Sequence, residues 1–330
     1  GMRAAWFEDF GPASEVLSVG ELPDPEVGPG EVQVRIDTSG VNPSDVKKRA
    51  GAFPDLLKEG AVVPHSDGAG VITAVGKGVE ASRVGERVWL YQAQHNRRLG
   101  TAAHVVVLDQ RRAATLPDNV SVQVGACMGI PAMTAHRCVY ADGPVSDQTV
   151  LVTGGAGRVG YYAIQWAKIS GAKVIATASN DADRQACLDV GADHVVNHRE
   201  DEWGLAVLDL NQGKKVDRVV DVEFGANLPN VLSCICTSGT IATYSSMVVP
   251  EPALPFRHMM FMDLTLRLVI VYDMPETAKT DAINDINHAL KSDQLRHRIA
   301  REFSLDDIAG AHELIEQGNV RGCVVVNVSE

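Results

Sequence analysis

The stretch LVTGGAGRVGYYAIQWAKISGAKVIATAS, residues 151–179, decides the fold. An apolar, strand-like run over 149–154 meets a glycine cluster. An amphipathic helical stretch follows, and a second strand-like run covers 173–178. Within the cluster, Gly155-Ala156-Gly157-Arg158-Val159-Gly160 fits G-x-G-x-x-G. A lone match means little, because glycine is common in turns. The strand before it and the helix after it turn the match into a phosphate-binding turn. The first glycine then permits the tight bend and the second lets a pyrophosphate approach the backbone. The third lets the helix pack on the strand. The helix N-terminus adds unbonded N–H groups and a partial positive charge.

The end of the second strand selects the dinucleotide. An NAD site places Asp or Glu there to hold the ribose hydroxyls. Here the strand ends Thr177-Ala178-Ser179-Asn180, and Asp181 and Asp183 fall in the first turn of the next helix. Arg184 follows one turn later, either beside a 2′-phosphate or as a solvated helix charge. A neutral strand end with a nearby arginine suits the 2′-phosphate, so NADPH is the expected cofactor, with Ser179 and Asn180 at the phosphate.

Outward from this turn, strand and helix signals alternate. Strands are expected at 149–154, 173–178, 193–197, 216–222, 239–244 and 264–272, and a helix at 275–291. Alternation at this pitch gives parallel strands joined by crossover helices, and six of them match the doubly wound plan. Residues 1–120 read differently. Short strand-like runs such as EVQVRIDTSGV and ERVWLY are separated by turn-rich segments such as LPDPEVGPGE. VGACMGIPAMTAHRCVY reads as a helix interrupted at Pro131. The last 36 residues read strand, helix, strand, and that tail can return to the first domain.

The chain has 330 residues and a net charge of −12, which favours two domains and disfavours a phosphate-backbone or anionic-membrane partner. No apolar run is long enough to span a bilayer, and the first residues lack a signal-peptide pattern, so a cytoplasmic location is expected. The six cysteines form no CxxC pair and read as reduced thiols.

With these residues in view, the chain resembles the medium-chain dehydrogenase/reductase superfamily, and within it the zinc-free quinone oxidoreductases of the zeta-crystallin group. The matching stretches are GVNPSDVKKRAG (40–51), PHSDGAGVITAVG (64–76), GERV (85–88), GACMGIPAMTAHR (125–137), VLVTGGAGRVG (150–160) and GADHVVNHRE (191–200). They occur in family order over nearly the whole chain. The resemblance implies an α/β protein: a Rossmann doubly wound parallel sheet inserted in a chaperonin-10-like β-rich domain. Residues 1–122 and 293–330 would form the β-rich catalytic domain and 123–292 the NADPH-binding domain. It also implies a homodimer pairing the last Rossmann strand, 264–272, edge to edge.

The resemblance places the reaction at the 42–53 loop. Asn42 would donate to a carbonyl oxygen or simply form the turn, Asp45 would fix the loop, and Phe53 would stack on nicotinamide or substrate. By matched position, Thr134, His198 and Asn227 would line the cofactor site, with Tyr244, Ser245 and Ser246 near the nicotinamide. No metal is expected: zinc members use a cysteine and a Gly-His-Glu where this chain has Asn42-Pro43-Ser44-Asp45 and His65-Ser66-Asp67. Lys47, Phe53 and Cys323 depart from the family pattern.

The expected activity is zinc-independent hydride transfer from NADPH to a quinone. An enone or alkenal double-bond reductase is the alternative enzyme. A non-catalytic NADPH-binding sensor or structural protein is the alternative of another class.

Overall fold

The computed structural model describes residues 1–329. Two compact units emerge: one joins Gly1–Ile130 to the chain from Ile283 onward, and the other is Pro131–Ala282.

The first unit is built on a seven-stranded sheet. Its main path runs Ile299–Ser304, Cys323–Asn327, Glu31–Val41, Asp67–Val75, Arg87–Leu90, Ala113–Thr115, and Val105–Asp109 pairs with the first half of Glu31–Val41. Strand Cys323–Asn327 lies antiparallel to the second half, with Val324 opposite Val41 and Val325 opposite Gly40. The tail therefore returns to the first domain, as its strand–helix–strand pattern suggested. In Glu31–Val41 the residues Val32, Val34 and Ile36 alternate inward, the two-residue period of a half-buried strand. They meet Val88, Leu90, Val106, Leu108, Val324 and Val326 in one core, onto which helix Ile308–Gln317 lays Ile308, Ala311 and Ile315. Each fully buried aliphatic side chain stabilises the fold by about 1.5–3 kcal/mol.

The second unit is a six-stranded parallel sheet in the order His194–Val196, Lys173–Thr177, Thr149–Val152, Val216–Asp221, Ile235–Thr243, Thr265–Leu268. In chain order within the unit this is 3-2-1-4-5-6, the doubly wound arrangement the alternating pattern called for. Its first strand carries the apolar run Val-Leu-Val at 150–152, fully buried as in a sheet covered on both faces. The last strand is shorter than the expected 264–272. Pairing stops at Leu268, and Val271–Asp273 forms a short helical turn. The segment around Pro131 is a π-helical turn, Met128–Ala132, followed by helix Met133–Tyr140. The lost proline N–H is accommodated by the wider turn rather than by a break.

Candidate active site and cofactor cradle

In the second unit the glycine turn is pinned to the neighbouring strand. The Gly154 N–H donates to Thr177 Oγ1 at 2.9 Å, and the Gly155 N–H donates to the Thr177 carbonyl at 3.0 Å. The left-handed residue of the turn is Gly154, with φ of 58°. The tight bend was expected at Gly155; that glycine is instead required by packing, since a Cβ there would lie 2.8 Å from Cys187 Sγ. Gly160 does hold the helix against the turn: its Cβ would meet the Gly154 carbonyl oxygen at 2.3 Å. Gly157 differs from both. A Cβ there would meet only that same oxygen, at 3.2 Å, so the chain itself leaves space over this residue. Gly157 is also the N-cap of the twelve-residue helix Arg158–Ile169, and no side chain caps it. Ala156, Arg158 and Val159 complete the turn. Space over Gly157 and an uncapped helix start fit a pyrophosphate.

At the end of strand Lys173–Thr177, Ser179 is half-buried and Asn180 is the N-cap of helix Asp181–Asp189. Asn180 Oδ1 accepts from the Asp183 N–H at 2.8 Å, and Nδ2 donates to the Asp183 carboxylate at 2.9 Å. Arg184 is exposed, with Nη1 3.3 Å from the Val195 carbonyl. No carboxylate ends the strand: Asp183 is turned into its own cap.

Asp221, at the end of strand Val216–Asp221, gathers several expected residues. Its Oδ1 accepts from Thr153 Oγ1 at 2.7 Å and from Asn227 Nδ2 at 2.9 Å, while Oδ2 is buried with no partner. Burial raises the pKa of this carboxyl. The Tyr244 N–H lies 3.3 Å from the Asp221 carbonyl, and burial holds the Tyr244 phenol protonated, well above its usual range. The Ser245 carbonyl accepts from the Phe224 N–H at 2.9 Å. The Ser246 hydroxyl accepts from the Gly225 N–H at 2.9 Å and donates to the Val249 carbonyl. Thr134 is buried on helix Met133–Tyr140, and His198 is half-buried just beyond strand His194–Val196.

In the first unit, Asn42 is the N-cap of helix Pro43–Ala50 in a capping box with Asp45. Its backbone N–H donates to Asp45 Oδ2 and its side-chain amide to Asp67 Oδ2, both at 2.8 Å. Asp67 Oδ2 also accepts from the Ile130 N–H at 2.9 Å. Asp45 Oδ1 and Asp67 Oδ1 are buried and have no partner. Burial pushes Asp45 up to about 6 and Asp67 up to about 8, with the nearby Lys48 ammonium only partly opposing it. Lys48, itself lowered by burial, donates to the Gln94 carbonyl and Oε1 at 2.9 and 3.0 Å. Phe53 lies in the following turn and is 55% exposed, so it has an open face.

A second buried chain of polar groups adjoins this one. Thr101 Oγ1 lies 2.7 Å from the Asp67 carbonyl and 2.7 Å from Ser39 Oγ, which lies 2.8 Å from His65 Nδ1. His65 Nε2 is 2.8 Å from His312 Nε2, and His312 Nδ1 is 3.0 Å from Arg49 Nη1. From the sequence, His65 and Asp67 were weighed only as a zinc position, and Lys48, His312 and Asp221 were not singled out. An aspartate closing a central parallel strand, in VDRVVD, was the one signal available.

Zinc does not fit here. The family's zinc histidine falls at Ser66, which carries no imidazole, and the neighbouring His65 has both ring nitrogens committed to Ser39 and His312. No thiolate stands at 42–45. Among the described residues, no group of three or more His, Cys, Asp or Glu side chains is arranged to hold a metal ion.

Residues 28–118 match the alcohol dehydrogenase GroES-like domain, and residues 159–287 match the zinc-binding dehydrogenase family. The quinone oxidoreductase of Mus musculus is 31% identical over 249 residues, 73% of this chain and 72% of that protein. Two solved structures align along 99% of this chain and 100% of their own. One, described as an NAD-dependent alcohol dehydrogenase, has 31% identity and a TM-score of 0.89. The other, an Escherichia coli quinone oxidoreductase complexed with NADPH, has 25% identity and a TM-score of 0.86. Fold, glycine turn and relatives agree: the chain belongs to the zeta-crystallin-like quinone oxidoreductase family of medium-chain dehydrogenases/reductases.

Proposed function

We propose that this protein is an NADPH-dependent quinone oxidoreductase that works without a metal. The observation that carries the reading is the fixing of Asn42. One carboxyl holds its backbone and another holds its side chain, where a zinc dehydrogenase would need a thiolate. Bound at the glycine turn, NADPH supplies the hydride. The helix N-terminus at Gly157 would hold the pyrophosphate, and Ser179, Asn180 and Arg184 would hold the 2′-phosphate.

Asn42 spends one N–H on Asp67 and offers the other to the acceptor oxygen. A neutral amide stabilises developing negative charge less than a metal does. Acceptors whose reduced form is already delocalised therefore suit it best. Quinones come first, enones next, and simple ketones and primary alcohols last. Phe53 contributes an apolar face and no proton.

The exposed edge of the parallel sheet supports a homodimer. Leu268 is 72% exposed and Ile270 54% exposed, and an uncovered apolar edge invites pairing with a second copy. Among the described residues no helix is long and apolar enough to cross a membrane, and with the acidic charge this supports a cytoplasmic enzyme acting on a small diffusing acceptor.

The test is NADPH oxidation against a quinone, an enone and a ketone, with an alcohol in reverse. The quinone should turn over best, and Asn42→Ala should slow it by about 10–100-fold with little change in NADPH affinity. A best rate with the enone would favour the double-bond reductase. A best rate with the alcohol or ketone would refute hydride transfer to a conjugated acceptor. NADPH binding without any turnover would favour a sensor.

A further inference from the structure

Cys127 and Cys323 lie far apart in the sequence and meet in the fold, both buried, close enough for their thiols to interact. The Cys127 S–H also donates to the Gln123 carbonyl, 3.3 Å away. The backbone brings them together. Val324 and Val325 pair with Val41 and Gly40, and the Ala126 carbonyl packs so closely on Gly40 that a Cβ there would be 2.3 Å from it. Residues 126–127 are thus lodged against the strand positions that flank Cys323.

The onward chain from Cys127 reaches Ile130, whose N–H holds Asp67 Oδ2, and Asp67 holds Asn42. We propose that Cys127 and Cys323 form a reversible disulfide on exposure to a peroxide, and that its closure draws segment 126–130 off Asp67. Cys323 opens its strand directly after Gly322, which has φ of 103°, and its sulfur is the first to react. That sulfur attacks one peroxide oxygen, the O–O bond breaks, and a sulfenic acid and water form. The Cys127 sulfur then attacks the sulfenic sulfur. The S–O bond breaks, and the departing hydroxide leaves with the thiol proton as a second water. Two thiols and one hydrogen peroxide become one disulfide and two waters.

The new bond must be near 2 Å, shorter than any thiol–thiol hydrogen bond, so one side has to move. Cys323 is held in the sheet, with its N–H 2.7 Å from the Arg298 carbonyl. The irregular segment 126–130 is the side that yields. The neighbouring Cys323 thiol, and after it burial, raise the Cys127 thiol far above its usual range, which makes the reaction slow and confines it to excess oxidant.

The experiment treats the full chain with hydrogen peroxide, alkylates the remaining thiols and maps peptides without reduction. The expected result is a peptide containing Cys127 linked to one containing Cys323, two hydrogens lighter than their sum and separated by dithiothreitol. Amide hydrogen exchange over 126–130 should quicken in the oxidised protein and recover on reduction. Cys323→Ala should show neither change. Absence of the linked peptide, or a linked peptide with unchanged exchange at 126–130, overturns the proposal. The consequence for Asn42 rests on the function proposed above, and quinone turnover of oxidised protein should fall by about tenfold or more, as ångström-scale misplacement does. Failure of untreated protein to reduce any quinone would count against that function, while the peptide map and exchange rates still decide the dithiol.

Discussion

His65 and His312 face each other through their Nε2 atoms, 2.8 Å apart and fully buried, and the bonds around them can run in only one direction. The Arg49 guanidinium only donates, so His312 Nδ1 must accept. A neutral His312 then carries its proton on Nε2 and gives it to His65 Nε2. His65 in turn carries a proton on Nδ1, which goes to Ser39. Ser39 donates to Thr101, and Thr101 to the Asp67 carbonyl. One permanent charge, anchored outside by Glu316 at 2.7 Å from Arg49 Nη2, fixes every tautomer in the chain.

Acid should break this arrangement. Burial lowers His65 to about 3 and His312 well below its usual value. Above pH 6.5 both rings are neutral, folded or unfolded, and neither contributes to the pH dependence. Below it the unfolded chain takes up a proton on each ring and the folded chain does not, so stability falls with acid. Each ring accounts for about 1.4 kcal/mol per pH unit. His312→Gln keeps an acceptor for Arg49 and a donor for His65 but cannot titrate. Denaturant unfolding between pH 6 and 4 should show a slope about 1.4 kcal/mol per pH unit shallower in the variant. Equal slopes would mean that His312 charges inside the fold.

The second and third glycines of the motif should fail in different ways. Gly157→Val places its side chain where only one backbone oxygen is near, so the fold should survive while NADPH binding is lost. Gly160→Ala drives a methyl into the Gly154 carbonyl, so thermal stability itself should fall, by about 1–3 kcal/mol. Melting curves beside nicotinamide-fluorescence titrations separate the two. Retained affinity in a folded Gly157→Val protein would show that no phosphate sits there.

Cofactor choice can be tested without disturbing the helix. Ser179→Asp leaves the Asn180 cap and its two bonds to Asp183 in place and adds a negative charge at the strand end. NADPH should bind more weakly, by about tenfold for a lost charge-assisted contact, with NADH affinity unchanged or improved. If both cofactors respond alike, the 2′-phosphate lies elsewhere.

The sheet edge gives a mass prediction. Light scattering should report about twice the 35.3 kDa chain mass, and Leu268→Lys should return it to a single chain, because charge on an edge strand opposes pairing. A wild-type monomer at micromolar concentration would end the proposal.

The doubly wound sheet was legible because each strand announces itself locally, by an apolar run and by the glycine turn at 154–160. The length of the sixth strand was not: LTLRLVIVYD is apolar throughout, but only Thr265–Leu268 finds a partner strand, and sequence does not record where pairing ends. Gly154 and Gly155 are adjacent and identical, so their exchange of roles shows only in φ. The polar interior of the first unit was the least legible part. Asp67, His65, His312 and Arg49 come from three distant segments, and each looks ordinary in its own. Their chemistry exists only once strand Asp67–Val75 and helices Pro43–Ala50 and Ile308–Gln317 are assembled.

The strand Cys323–Asn327 has a consequence for biosynthesis. Residues 31–35 of the long strand Glu31–Val41 find their outer partner at 105–109, but residues 38–41 wait for 324–327. The nucleotide unit is contiguous and can condense while the ribosome is still translating. The half-strand that leads into Asn42 keeps an open edge until residues 324–327 emerge, so the chain gains its glycine turn before that half-strand is paired. A nascent chain stalled before residue 323 should therefore bind NADPH, resist protease over 131–282, and be cut within 31–75.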